Sequence, residues 1–571
     1  MSTHILDLFV YLCALSFTLV ESPLSNPKLR RIALDSPPVT LTLDKYIADA
    51  AALSSIDPEQ WTLWYKLDRC FSQPKIYAVF SLAMPVELYS TDHVVQSKLF
   101  SSCFFDKQTE YLYDAALAGL SFQIDFTTRG VQFILSGFND KIIGFARRIF
   151  EDLLKNFEVD LATFERFKDI LRRELSSWST QQPYSHASYY ASQVTETLQF
   201  PIEDLLRSLE NVKLSDLASL LSTSLRRSHG TAMVIGNANE ADAVSLLAIV
   251  AQAFPFQELP VSARSYRRIF SLPTPTSSSL ESPVRPSSVN TDMPLPTPLG
   301  YILSHKEPNP QDDNSACTFY FQLPTRDISA AVQLEILADA IEQPFYDELR
   351  TKQQLGYIVS SGVRTKEGYK YLTFTVQSSL ATGNDLIERI ESFLADFSVQ
   401  FQRDFNEKQL DALKSGIKSR KLEPDQSLTS QATRLWSEII YSDSPSLLLN
   451  SNCVGGAVSG PAGEKYRLNG RGVLGNSCGP LFNRRQLEVD ALETVTVNEM
   501  REFARILLAE NSENRRLLIS EVTSVNLPTS ISSSAVDVSA RNTLSRKGAE
   551  RPRYVTVVDD DSFRRSLPFL P

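Results

Sequence analysis

The chain has 571 residues, 43 % of them apolar and 22 % charged, an ordinary globular composition spread over more length than one hydrophobic core fills. Its net charge of −10 speaks against a nucleic-acid-binding protein, because phosphate contact needs a basic face. The six cysteines (Cys13, Cys70, Cys103, Cys317, Cys453 and Cys478) form no CxxC pair and no disulfide framework, the usage of reduced thiols in a cytoplasmic protein.

Residues 1–44 form a leader distinct from the rest of the chain. Its apolar run from Leu8 to Val20 resembles the core of a secretory signal and is shorter than the ~20 apolar residues that cross a membrane. No Lys or Arg precedes Lys28, so the basic start of a signal is missing. Secretion is therefore the alternative to the cytoplasm, and no other stretch is apolar enough to span a bilayer.

Residues 45–265 read as one domain. An apolar strand over Lys75 to Met84 leads to a helix from His93 to Phe104, and Gly119 then introduces the strands Gly119-Leu-Ser-Phe-Gln-Ile-Asp and Val131-Gln-Phe-Ile-Leu. Ile142, Phe145, Ile149, Phe150, Leu154 and Phe157 follow helical spacing, with Asn139-Asp140 expected to cap. A second helix covers Leu161 to Leu175, and a strand at Thr231 to Ile235 closes the unit.

Residues 266–298, Ser- and Pro-rich from Phe270 on, read as a linker. The pattern then repeats over 299–525, with strand Cys317 to Leu323, helix Ser329 to Phe345, and Gly356 in the place of Gly119. Next come the alternating strand Tyr371-Leu-Thr-Phe-Thr-Val-Gln, a helix from Leu386 to Phe401 with Asn384-Asp385 at its cap, a helix from Glu407 to Lys421, and the strand Leu517 to Val522. A Gly-rich insertion at 450–482 interrupts this copy, and 526–571 is a Ser-rich tail; Phe270 to Pro298, Asn450 to Phe482 and Thr523 to Glu550 read as disordered. The fold class is thus α+β: two tandem homologous domains, each a mainly antiparallel sheet with helices on one face and the other face free to line something.

A search for reaction chemistry finds little. His4, His93, His186, His229 and His305 have no second His within five residues, so HExxH and its inverse HxxEH are absent. His305-Lys-Glu307 lacks the Pro-Cys-x-x-Cys of a deaminase, and no G-x-S-x-G elbow occurs. The glycines from Gly455 to Gly460 are followed by Pro461 where a phosphate loop needs lysine.

The segment Phe345-Tyr-Asp-Glu-Leu-Arg350-Thr-Lys-Gln-Gln-Leu-Gly356-Tyr357-Ile-Val resembles the signature of the C-terminal half of M16 zinc metallopeptidases, the pitrilysin/insulysin family. Leu63-Trp-Tyr-Lys, Ala118-Gly-Leu-Ser, Gly137-Phe-Asn-Asp-Lys, Gln182-Pro-Tyr-Ser-His-Ala-Ser-Tyr-Tyr190 and the ending Ser562-Phe-Arg-Arg-Ser-Leu-Pro-Phe-Leu570 are similar to the family in the right order. The resemblance implies a four-domain clamshell of two halves enclosing a peptide chamber, of which 45–265 and 299–525 are the third and fourth domains. It implies no metal in this chain: the zinc of the complete enzyme sits in an N-terminal half, or a partner M16 chain, that bears HxxEH.

The resemblance also assigns Arg350 and Tyr357 to peptide substrates, reaching toward the backbone beside the zinc. A guanidinium and a phenol suit a carbonyl oxygen that gains charge in a tetrahedral transition state. Gly356 is expected to end the preceding helix as its C′ residue. Lys414, Lys418 and Lys421 lie where the family offers a polyanion site, although Glu423-Pro-Asp-Gln426 comes directly after them here. The leader and the 450–482 insertion match nothing in the family and point to retained non-coding sequence or an incomplete gene model, which sequencing of the mature transcript tests. Three functions stay open: the non-catalytic half of a zinc endopeptidase; an inactive homologue that binds peptides or regulates a partner, a second copy of itself included; and a scaffold without ligand.

Overall fold

Two sheets carry the fold. The computed structural model describes residues 36–43, 57, 59–274, 300–442, 480–509, 512, 514–527, 554–557 and 559–570. The signal-like run, linker residues 275–298, insertion residues 450–479 and tail residues 528–553 lie outside the described residues.

The first sheet contains β1 (Val39–Thr40), β2 (Trp61–Leu67), β3 (Lys75–Ala83), β4 (Ser121–Thr127), β5 (Gly130–Phe138), β6 (Arg227–Gly236) and β7 (Gln257–Glu258). Its order is β1-β2-β6-β3-β5-β4, with β7 beside β6. The second contains β8 (Tyr301–Lys306), β9 (Ser315–Gln322), β10 (Ile358–Lys366), β11 (Tyr369–Ser378), β12 (Leu517–Thr523) and β13 (Val555–Val557), in the order β10-β11-β9-β12-β8-β13.

Without the short strands β1, β7 and β13, the two orders coincide: β2-β6-β3-β5-β4 matches β8-β12-β9-β11-β10. In each, one pair is parallel (β2–β6, β8–β12) and the others are antiparallel. The repeat is therefore structural. Strand β4 begins two residues after Gly119 and β10 two residues after Gly356, which fixes the equivalence of the two glycines. The opening strands β2 and β8 are absent from the sequence reading, which starts each copy at β3 and β9.

Helix boundaries follow the apolar periodicity, with two corrections at the caps. The Gly383–Asp404 helix is capped by Thr382, in a capping box with Asp385, and not by Asn384. Asn139 is the first helical residue, preceded by Phe138 with no side-chain cap. This helix, Asn139–Arg147, widens into a π turn over Arg148–Leu154.

The expectation of a free face on each sheet fails at the inner strands, although β4 and β5 still alternate between buried and more exposed residues. Every residue of β9 is buried, and β11 is buried at all but one position; a strand wet on one side would alternate. The cause is a reciprocal crossing of helices. Helix Leu428–Ser442 of the second copy lays Leu428, Ala432, Leu435, Trp436 and Ile439 on Val79, Met233 and Ile235 of the first sheet. Helix Pro183–Thr195 of the first copy sets Ala191 and Val194 against Leu303, Tyr320, Tyr371 and Leu518 of the second. Each fully buried Leu or Ile contributes about 1.5–3 kcal/mol, so the crossing binds the two domains together.

The start of the expected linker is also drawn into this joint. Ile269, Phe270 and Leu272 are buried, and Leu272 donates its N–H to Gln322 Oε1 at 2.7 Å. Residues from the chain's last helix, Asp560–Ser566, and the stretch after it close over them. Leu570 N–H donates to the Ile269 carbonyl at 2.9 Å, and the Phe569 and Phe270 rings stack at 4.7 Å.

Candidate functional site at the Arg350–Tyr357 turn

The Ile328–Tyr346 helix is capped by Asp327, whose carboxylate accepts from Ala330 N–H at 2.9 Å, and it buries Val332, Ile336, Leu337, Ile341 and Phe345. Pro344 sits inside its last turn and has no N–H to give. The helix then widens into a π turn over Asp347–Lys352, in which Gln353 N–H reaches the Glu348 carbonyl at 3.0 Å. Leu349 and Leu355 anchor the turn in the core, while Arg350 is left half-exposed.

The reversal into β10 is made at Gln354, whose φ of 52° is left-handed. This corrects the expectation for Gly356. In the first copy Gly119 (φ 74°) is the left-handed C′ residue, with Leu120 N–H bonded to the Ala115 carbonyl at 2.9 Å; in the second that role falls on Gln354. Gly356 is needed for another reason. A Cβ there would lie 2.0 Å from the backbone oxygen of Gln377 on β11.

Tyr357 comes next, 85 % exposed, immediately before Ile358 pairs with Gln377. The turn folds back so that the Arg350 guanidinium lies 4.3 Å from the Tyr357 ring centroid, and Arg350 Nη1 donates to the Tyr357 carbonyl. The two residues singled out from the sequence are therefore in contact. A third, Tyr346, was missed: its ring flanks the guanidinium at 5.2 Å, from one helical turn earlier. Its spacing of four from Arg350 was the available signal.

Arg350 has no carboxylate within ion-pair distance among the described residues. The nearest acid in sequence, Glu348, is taken by Lys352 at 2.8 Å and Gln353 at 3.2 Å, and the Lys352 bond holds its carboxyl below the usual range. The turn thus offers an unneutralised fork of N–H donors beside an exposed phenol. That pair of donors suits a peptide carbonyl or carboxylate.

Gln377 ties this turn to the other domain. Its side chain donates to Gln182 Oε1 at 2.7 Å and accepts from Tyr184 N–H at 3.1 Å, at the start of the crossing helix. In the same helix His186 is wholly buried: Nε2–H donates to the Trp178 carbonyl at 2.8 Å, and Nδ1 meets Glu307 Oε2 at 3.1 Å. His305 stacks on Tyr190 at 3.7 Å, and His93 and His229 lie apart in the first domain. Among the described residues no three His, Cys, Asp or Glu side chains are grouped to hold a metal, so the residues present do not fit a zinc site.

The basic helix Glu407–Lys421 is occupied with its own chain. Lys414 donates to the Val495 carbonyl at 2.6 Å, Lys418 pairs with Glu493 at 2.5 Å, and Lys421 bridges Glu335 and Glu488 at 2.6 and 2.7 Å. Arg420 is held by Asp339 at 2.5 Å. No helix among the described residues is long and apolar enough to cross a membrane.

The profile described as the middle or third domain of peptidase M16 matches residues 53–208, and that of PQQ synthase PqqF-like, C-terminal lobe domain 4, matches residues 336–436. Insulin-degrading enzyme-like 1, peroxisomal, of Arabidopsis thaliana is 28 % identical over 66 % of this chain and 37 % of its own length. Insulin-degrading enzyme of Homo sapiens is 25 % identical over 93 % of this chain and 46 % of its own length. The chain spans less than half the length of these curated relatives. Among solved structures, pitrilysin superposes with a TM-score of 0.68 at 15 % identity, over 97 % of this chain and 48 % of that one. A peptidase M16 inactive domain from Pseudomonas fluorescens superposes at 0.52 with 11 % identity, over 85 % of this chain and 98 % of that one.

Proposed function

The chain is a member of the M16 peptidase family, and from that premise we propose that it is the non-catalytic, substrate-chamber half of an insulysin-like zinc endopeptidase. Its zinc site belongs to an N-terminal half, or a partner M16 chain, that carries HxxEH. The observation behind the reading is the Arg350–Tyr357 turn, where a guanidinium without an acidic partner and an exposed phenol stand side by side.

In this role the two residues act on the peptide and not on the metal. The phenol O–H and the free guanidinium N–H groups donate to the substrate backbone and to the oxygen that gains charge as the scissile carbonyl becomes tetrahedral. Arg350 has a second task, since its bond to the Tyr357 carbonyl holds the phenol's own backbone in place. Compartment follows cysteine usage: Cys103 and Cys317 are buried free thiols, in keeping with the cytoplasm.

The test is reconstitution. The purified chain is mixed with an HxxEH-bearing M16 half and cleavage of a fluorogenic peptide is followed. Arg350→Ala and Tyr357→Phe each slow cleavage on the order of a hundredfold while the fold is retained. Unchanged rates remove both residues from the mechanism.

A second reading is a peptide-binding or regulatory subunit without catalysis. The inactive M16 domain that superposes along nearly its whole length favours it. It predicts saturable peptide binding by this chain alone and no gain in cleavage when the HxxEH half is added.

A further inference from the structure

The Pro183–Thr195 helix of the first domain begins without a cap of its own. Pro183 is its first residue and carries no N–H, and the Gln182 side chain makes no capping bond. Tyr184 N–H is then one of the first-turn donors that a helix cannot satisfy internally. Its acceptor comes from the other domain: Gln377 Oε1 of β11, at 3.1 Å. Gln377 Nε2 donates in turn to Gln182 Oε1 at 2.7 Å, and the residue is buried. The second domain therefore caps a helix of the first.

The same hairpin, β10–β11, holds the other end of that helix. Lys366, the last residue of β10, donates to Ser192 Oγ at 2.9 Å and pairs with Glu196, the residue that closes the helix. Glu196 is buried and also pairs with Arg267 at 3.0 Å. Next to Lys366, Glu367 pairs with Arg129 of the first domain at 3.6 Å. An acceptor at the helix N-terminus and a cation at its C-terminus both suit the helix dipole. Between the two, Ala191 and Val194 pack on Tyr320 and Tyr371. The hairpin is thus seated along about 20 Å of helix.

Gln377 is also the residue on which the Arg350–Tyr357 turn lands. Its backbone pairs with Ile358, next to Tyr357, and its carbonyl oxygen leaves no room for a Cβ at Gly356. Tyr357 is so exposed that its backbone, held at Gln377 and by Arg350, sets the place of its ring. Side chain and backbone of one residue join the start of the first domain's helix to the start of β10.

We propose that Gln377 is a positioning residue for this site: by capping the Pro183–Thr195 helix it fixes the start of β10, and with it the Tyr357 phenol, against the first domain. The proposal rests on the peptide-site reading of the turn, and its test separates the two.

Gln377→Met in the full chain keeps the length of the side chain and removes both of its bonds. Amide hydrogen exchange over residues 355–360 is expected to speed up about tenfold. In the enzyme reconstituted with an HxxEH-bearing half, kcat falls about tenfold with KM within about twofold, because a displaced phenol is missed mainly in the transition state. Gln182→Ala removes one of the two bonds from an exposed position, and its change of the same kind, about threefold, carries the test if Gln377→Met fails to fold. Ile439→Val, in the other crossing helix, trims the joint away from the hairpin and should move neither readout. Exchange over 355–360 no faster than in Ile439→Val overturns the proposal. So does an unchanged kcat in Gln377→Met where Tyr357→Phe slows cleavage. If Tyr357→Phe leaves cleavage unchanged, the peptide-site reading fails, and faster exchange in Gln377→Met still upholds Gln377 as the residue that positions the turn.

Discussion

The Gln377 backbone oxygen lies 2.0 Å from where a Cβ on residue 356 would sit, so Gly356 is the point at which the Arg350–Tyr357 turn touches β11. Any side chain there must push Tyr357 away from the sheet. Gly356→Ala is therefore expected to cost about 1–3 kcal/mol in urea denaturation and to slow peptide cleavage in the reconstituted enzyme. Gly362→Ala, where a Cβ meets nothing within 4 Å, serves as the control and should be close to neutral for stability.

At Arg350 geometry counts as well as charge. A lysine keeps the cation but loses the fork that serves the Tyr357 carbonyl and, in the proposed role, a substrate as well. Arg350→Lys should behave nearer to Arg350→Ala than to the parent in cleavage rate. Both variants should unfold within about 0.5 kcal/mol of the parent, since the side chain is half-exposed. Full activity in Arg350→Lys would reduce the residue to a point charge.

The joint between the domains depends on a buried polar pair. His186 and Glu307 have fully buried side chains, and removing the imidazole leaves the carboxylate facing a dry cavity with only Asn309 N–H still bonded to it. His186→Ala should lower stability by about 3–5 kcal/mol. Proteolysis should then cut near the joint in the variant and spare the parent.

Stability should fall in mild acid because of His93. Burial holds its folded value at about 4 against 6.5 for the free group. The unfolded chain therefore takes up the proton first. The contribution is complete above pH 6.5 and is lost as pH falls toward 4, on the order of 3 kcal/mol in all. In urea midpoints measured across this window, His93→Gln should show a shallower decline than the parent. Parallel curves would mean that the imidazole does not resist protonation in the folded state.

Polyanions should have little to bind on the basic helix. Lys414, Lys418, Arg420 and Lys421 are each tied to a carbonyl or a carboxylate of the same domain, and Lys421 lies between two carboxylates. Tripolyphosphate should neither bind the chain measurably in calorimetry nor change cleavage by the reconstituted enzyme. Tight binding abolished by Lys414→Ala would show that these pairs open readily.

Much of this protein was legible in the chain itself. Apolar periodicity marked the helices from Ile328 and Gly383, and alternation marked β11, because those signals are local consequences of backbone geometry. The repeat emerged from two copies of the same local order. Arg350 and Tyr357 were singled out by the resemblance of one short continuous segment to a family signature, and the fold brings the two into contact.

The features that escaped the sequence depend on partners far along the chain. Strands β2 and β8 were missed because each is completed by a parallel neighbour, β6 or β12, more than a hundred residues away. Gly356 looked like a helix stop, and only the approach of Gln377 discloses its purpose. The inner strands of the faces expected to be free are covered because each domain sends a helix to the other. An amphipathic helix states that it must bury a face, whereas the surface that receives it is set by the tertiary fold.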